Sequence, residues 1–125
     1  HNVLRGPVNL EANCKTKAFM EIKHSIVQEG TIFHSGYVGD SIIGKNCRFG
    51  AGFISGNLRF DEKPIHGLRK LGVVVGDNSA FGIHSGTMPG VLVGSNCKVG
   101  PATHVFENLE DNTTFYAKFD QVKKR

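Results

Sequence analysis

The sequence predicts an all-β chain wound into a parallel β-helix. Three observations carry this: a repeat of six residues, an excess of glycine, and small residues at one fixed position of the repeat. From Val75 the chain divides into VGDNSA, FGIHSG, TMPGVL, VGSNCK, VGPATH and VFENLE, with Val75, Phe81, Thr87, Val93, Val99 and Val105 first. Gly76, Gly82, Gly94 and Gly100 stand second, while Ser79, Ser85, Val91, Cys97, Thr103 and Leu109 stand fifth. The 125 residues include 16 glycines, nearly double the usual share of about 7%. A short strand and a sharp corner every six residues build a triangular coil of about 18 residues, and such coils stack through parallel ladders. First residues fill the interior, and fifth residues turn into the cramped corner. Corners call for positive φ, which Gly tolerates freely and Asn better than most. A helical reading fails, because glycine at every sixth residue disrupts a 3.6-residue stripe.

Upstream, Leu10, Thr16, Ile22, Val27, Ile32, Val38, Ile43 and Phe49 read as first positions at steps of five or six. LEANCK, IGKNCR, VGDNSA and VGSNCK are near copies, with Asn13, Asn46, Asn78 and Asn96 fourth. Cys14, Cys47 and Cys97 share the fifth position and so read as small packing residues. Their odd number and the lack of CxxC spacing argue against a disulfide framework or a zinc-cysteine site, and fit a reducing cytoplasm. Ser55 to Leu71 carries no hexad but holds Arg59, Lys63, Arg69 and Lys70, as expected of a basic loop leaving the coil. Asp111 to Arg125 reads as a tail packed across the end of the prism.

The net charge of +4 comes partly from Lys123, Lys124 and Arg125, and it forms no stripe interleaved with aromatic residues. Nucleic acid is therefore not an expected partner. No apolar run nears the roughly 18 residues of a membrane-spanning helix. The chain starts at His1 without methionine or signal peptide and reads as a piece of a longer protein.

Of the histidines, His84 and His104 occupy variable hexad positions, His66 lies in the basic loop, and His24 and His34 flank the irregular register. The H-x4-H pair that a zinc site like that of the gamma-class carbonic anhydrases requires is absent, so no metal is expected. On spacing alone, His34 is a structural residue near a register slip.

The stretch Ile32-Phe-His-Ser-Gly-Tyr-Val-Gly-Asp40 changes that reading. It resembles the His-x-x-Tyr-[Leu/Val]-Gly-Asp motif of the glucosamine-1-phosphate acetyltransferase domain in bifunctional sugar-1-phosphate nucleotidylyltransferases, particularly the archaeal type. Phe19-Met-Glu-Ile-Lys23, Asn57-Leu-Arg-Phe-Asp-Glu-Lys63, Arg69-Lys-Leu-Gly72 and Met88-Pro-Gly90 follow that family's order. The segment between Lys63 and Arg69 is shorter than the family's. The resemblance implies a left-handed β-helix, a homotrimer with acetyl-coenzyme A lying between adjacent prisms, and a nucleotidylyltransferase half preceding His1. It further implies His34 as general base toward the amine of a hexosamine 1-phosphate. Tyr37 and Asn57 would hold the sugar; Lys23 and Lys63 would meet the phosphate, with Arg59 as a weaker addition. An imidazole titrates near neutrality and can take the proton of an attacking amine. The alternative from another class is a non-catalytic trimerisation or regulatory β-helix. An acetyltransferase for some other acceptor is a third reading.

Overall fold

Seventeen short strands and no helix make up the computed structural model, which describes residues 1–125. The first coil carries β1 (Val3–Arg5), β2 (Asn9–Leu10) and β3 (Lys15–Thr16). The second carries β4 (Met20–Lys23), β5 (Ile26–Val27) and β6 (Ile32–Phe33), and the third β7 (Gly36–Gly39), β8 (Ile42–Ile43) and β9 (Arg48–Phe49). The fourth carries β10 (Phe53–Ser55), β11 (Val74–Val75) and β12 (Ala80–Phe81). The fifth carries β13 (Gly86–Thr87), β14 (Leu92–Val93) and β15 (Lys98–Val99), and the last β16 (His104–Val105) and β17 (Thr114–Phe115). Strands pair in parallel with those one coil away. This gives a first face β1-β4-β7-β10-β13-β16, a second β2-β5-β8-β11-β14 and a third β3-β6-β9-β12-β15-β17. The result is the expected left-handed parallel β-helix.

Its core is the column of inward residues: Ile22, Val38, Val27, Ile43, Val75, Val93, Phe33, Phe49, Phe81 and Val99 are all buried. The Phe33, Phe49 and Phe81 rings stack with centroids 4.8 and 4.9 Å apart, close to the strand spacing that sets the coil rise. Burying each ring contributes roughly 1.5–3 kcal/mol relative to leaving it exposed. The stack corrects one expectation. Phe33, not Ile32, points inward, because only its ring continues the column of Phe49 and Phe81; Ile32 lies half-buried on the outer surface. With Phe33 inward, the step from Val27 is six residues and the step on to Val38, across His34, is five.

The corner between the second and third faces repeats almost unchanged down the prism. Asn13, Gly30, Asn46, Asn78, Asn96 and Asn112 turn it with φ of 61, 76, 53, 58, 57 and 63°. The second-position glycines serve a different purpose from the one expected: Gly44, Gly76 and Gly94 do not adopt positive φ. A Cβ on Gly76 would fall 2.6 Å from the Ser95 nitrogen and 2.8 Å from the Gly94 carbonyl carbon, so close approach of neighbouring coils demands glycine there. Fifth residues are small and also donate hydrogen bonds. Thr31 Oγ1 reaches the Gly44 carbonyl at 2.8 Å, Cys47 Sγ that of Gly76 at 3.1 Å, Ser79 Oγ that of Gly94 at 2.8 Å, and Cys97 Sγ that of Glu110 at 3.1 Å.

Residues 57–71 leave the coil at the corner between the first and second faces, held internally by a bridge between Ile65 and Leu68, while Val73 is already back in the core. At the far end β17 pairs with β15 and sets Phe115 against Val99. The coil thus continues past Asp111, with Asn112, Thr113 and Phe115 repeating the pattern, and residues 116–125 are exposed.

Candidate active site

His34 follows β6 and begins the turn onto the first face. Its backbone N–H donates to the Phe49 carbonyl at 3.0 Å, as Gly50 does to Phe81 at 2.9 Å and Gly82 to Val99 at 2.8 Å. Lys17, His34, Gly50, Gly82 and Gly100 therefore form one column along the prism. A Cβ on Gly82 would meet the Pro101 nitrogen at 2.6 Å. The three coils that follow have glycine at this place, crowded by the next coil, whereas His34 presents an imidazole and Lys17, one coil before it, an ammonium. The exposed His34 side chain edges an open groove of about 580 Å³ that also takes in Lys17, Ile32, Arg48, Ala80 and Lys98. The groove contains no carboxylate, and Lys17, Arg48 and Lys98 make no ion pair. Such a surface suits an elongated anion with apolar parts.

A second cluster occupies the corner between the first and second faces. Asp40 sits there at φ 51°, its side chain only 9% exposed. Its Oδ2 accepts from Lys23 Nζ at 3.0 Å and from Asn57 Nδ2 at 2.7 Å, and its Oδ1 meets His24 Nδ1 at 3.1 Å. Asn57 Nδ2 also donates to the Tyr37 hydroxyl oxygen at 3.0 Å. Both amide hydrogens of Asn57 are thus engaged, which leaves its carbonyl oxygen and the Tyr37 hydroxyl hydrogen for a ligand. Burial pushes the Asp40 carboxyl up, but hydrogen bonds from Lys23, Asn57 and His24, with the charge of Lys23, outweigh it. Its pKa lies below the ordinary 3.8.

Of the residues expected at a site, the structure brings Lys23, Tyr37 and Asn57 together. His34 stands three residues before Tyr37, across the corner that joins β6 to β7. Arg59 and Lys63 do not join the cluster. Arg59 forms a forked pair with Asp61 at 2.8 and 2.7 Å, and Lys63 donates its backbone N–H to the same carboxylate at 3.0 Å. These bonds hold Asp61 at about 2. Sequence reasoning missed Asp40 and His24, and also the groove cations Lys17, Arg48 and Lys98. A signal for Asp40 exists: it lies 17 residues from both Lys23 and Asn57, one coil in each direction.

Stacked hexads, a column of crowded glycines that gives way to His34, and a polar corner define a hexapeptide-repeat β-helix. Residues 72–100 match the family model described as hexapeptide repeat of succinyl-transferase. The expected resemblance is borne out: the chain is related to the bifunctional sugar-1-phosphate nucleotidylyltransferase/acetyltransferases, GlmU among them. It is 44% identical over 115 residues to the bifunctional protein GlmU of Methanocaldococcus jannaschii, covering 84% of this chain and 28% of that protein. Against the bifunctional sugar-1-phosphate nucleotidylyltransferase/acetyltransferase of Sulfurisphaera tokodaii it is 39% identical over 116 residues, covering 84% and 29%. The chain thus spans less than a third of the length of these relatives. In fold it is similar to PerB of Caulobacter crescentus, solved with CoA and GDP-perosamine, at a TM-score of 0.75 and 21% identity over 93% of this chain and 51% of that one.

Proposed function

We propose that this chain is an acetyl-coenzyme A-dependent N-acetyltransferase acting on a hexosamine 1-phosphate, glucosamine or galactosamine, with His34 as general base. The observation that carries the reading is the exposed imidazole of His34, where the column turns from crowded glycines to side chains, at the edge of a cationic groove. The bifunctional relatives, whose names pair a sugar-1-phosphate activity with acetyl transfer, support the substrate class. The groove fits the co-substrate: Ile32 and Ala80 offer apolar contact, and Lys17, Arg48 and Lys98 offer cations to its phosphates. The thioester supplies an activated acyl group and a good leaving group. Neutral His34 accepts the proton of the amine as the amine nitrogen bonds to the acyl carbon; the carbon–sulfur bond breaks and the thiolate departs. Tyr37 and Asn57 hold sugar hydroxyls, and Lys23 takes the phosphate. Lys63 reaches the phosphate from the loop, and Arg59, already paired with Asp61, contributes least.

The reading includes a cytoplasmic homotrimer, supported by the outward ladder of Ile26, Ile42 and Leu92 on the second face. One observation favours a non-catalytic trimerisation or regulatory β-helix instead: Lys23 and Arg59 already have carboxylate partners within the chain. The deciding experiment is thiol release from acetyl-coenzyme A with glucosamine 1-phosphate and galactosamine 1-phosphate, on material whose trimeric mass is checked by sedimentation. Turnover is expected, with His34→Ala lowering kcat by about 10²-fold or more. A trimer without turnover, or a His34→Ala variant as active as the parent, overturns the reading.

A further inference from the structure

We infer that Asp40 is a positioning residue: its single carboxylate aims Lys23 and Asn57 at the ligand and fastens the basic loop beside them. The inference rests on the acetyltransferase reading for what the ligand is, but its geometry is independent of that. Oδ2 of Asp40 is shared by the Lys23 ammonium and the Asn57 amide, and Oδ1 faces His24. With one N–H on Asp40, Lys23 keeps two more for an incoming phosphate oxygen. The bond that orients Asn57 also orients Tyr37, because one amide nitrogen serves both.

The backbone of Asp40 closes the arrangement. Its N–H donates to the Lys23 carbonyl at 2.9 Å, and its carbonyl accepts from Gly72 at 2.7 Å. Leu71 in turn donates to the Asn57 carbonyl at 2.9 Å. The loop therefore starts at a residue gripped by the Asp40 side chain and ends at one gripped by its main chain. Aspartate suits the position twice over. It tolerates the left-handed backbone better than most residues, and its short acceptor-only side chain faces three donors. Lys23 and Asp40 neutralise one another, so the pair supplies direction more than net attraction for a phosphate.

The test compares Asp40→Ala and Asp40→Asn with the parent in the intact chain; asparagine also tolerates the left-handed backbone and guards against a simple failure to fold. The KM for glucosamine 1-phosphate is expected to rise about tenfold in Asp40→Ala and less in Asp40→Asn, with kcat changed by less than about threefold, as for lost positioning contacts. The KM for acetyl-coenzyme A should stay constant. Hydrogen exchange of the Leu71 amide should accelerate in Asp40→Ala while the Ile42 amide stays protected, a readout that survives even if the parent shows no turnover. Unchanged sugar KM, unchanged Leu71 protection, or a lower sugar KM in Asp40→Asn (the mark of a carboxylate that merely repels phosphate) overturns the inference.

Discussion

Two corners of the same prism use similar parts for opposite ends. At the corner between the second and third faces, each coil spends its polar groups on its neighbours. Asn46 and Asn78 supply positive φ, glycine lets the coils close up, and Thr31, Cys47 and Ser79 donate to the next carbonyl. At the corner between the first and second faces, Asp40 also supplies positive φ, but the side chains it gathers keep hydrogen-bonding capacity in hand. Repetition leaves nothing for a ligand. A break in repetition does, and the loop at residues 57–71 enters at that break.

The contrast makes the regular corner the place where one substitution harms the fold most. Gly76→Ala drives a Cβ to 2.6 Å from the Ser95 nitrogen, and overpacking of this kind costs about 1–3 kcal/mol. Urea unfolding should show that loss, with sugar KM unchanged in the folded fraction. A neutral Gly76→Ala would mean that the coils are not closely set there.

The irregular corner should show itself through acid. The folded pKa of Asp40 lies below its ordinary 3.8, so the unfolded chain takes up this proton first as pH falls. Its contribution is present above about pH 4 and is lost as pH drops through the folded value. The stability gap between the parent and Asp40→Asn should therefore shrink steadily below about pH 4, as read by thermal unfolding across pH. A gap independent of pH would place the proton elsewhere.

How legible the two corners were follows from the same difference. Four near copies, LEANCK, IGKNCR, VGDNSA and VGSNCK, announce the regular corner, and all four turn it. The inward residue at Ile32-Phe33 was not legible, because both side chains are apolar and only the stack with Phe49 and Phe81 decides between them. His34, Lys23, Tyr37 and Asn57 stood out through family resemblance. Asp40 did not, because its role depends on residues one coil away on either side, and a hexad register that slips hides that distance.

The smallest expected effect separates the backbone's demand from the side chain's. Asn46 and Asp40 both hold left-handed φ, at 53 and 51°. Asn46 makes no side-chain hydrogen bond of its own, so its contribution is conformational tolerance, which glycine shares. Asn46→Gly relieves the φ penalty in the folded state and frees the unfolded chain, and the two nearly cancel, leaving a change of a few tenths of a kcal/mol. Asp40→Gly meets the same backbone need but strips Lys23, Asn57 and His24 of their common acceptor. Parallel urea titrations and sugar KM values for the two variants should therefore diverge, with Asn46→Gly near the parent in both and Asp40→Gly worse in both. Equal behaviour would show that Asp40 is, like Asn46, only a residue that can turn a corner.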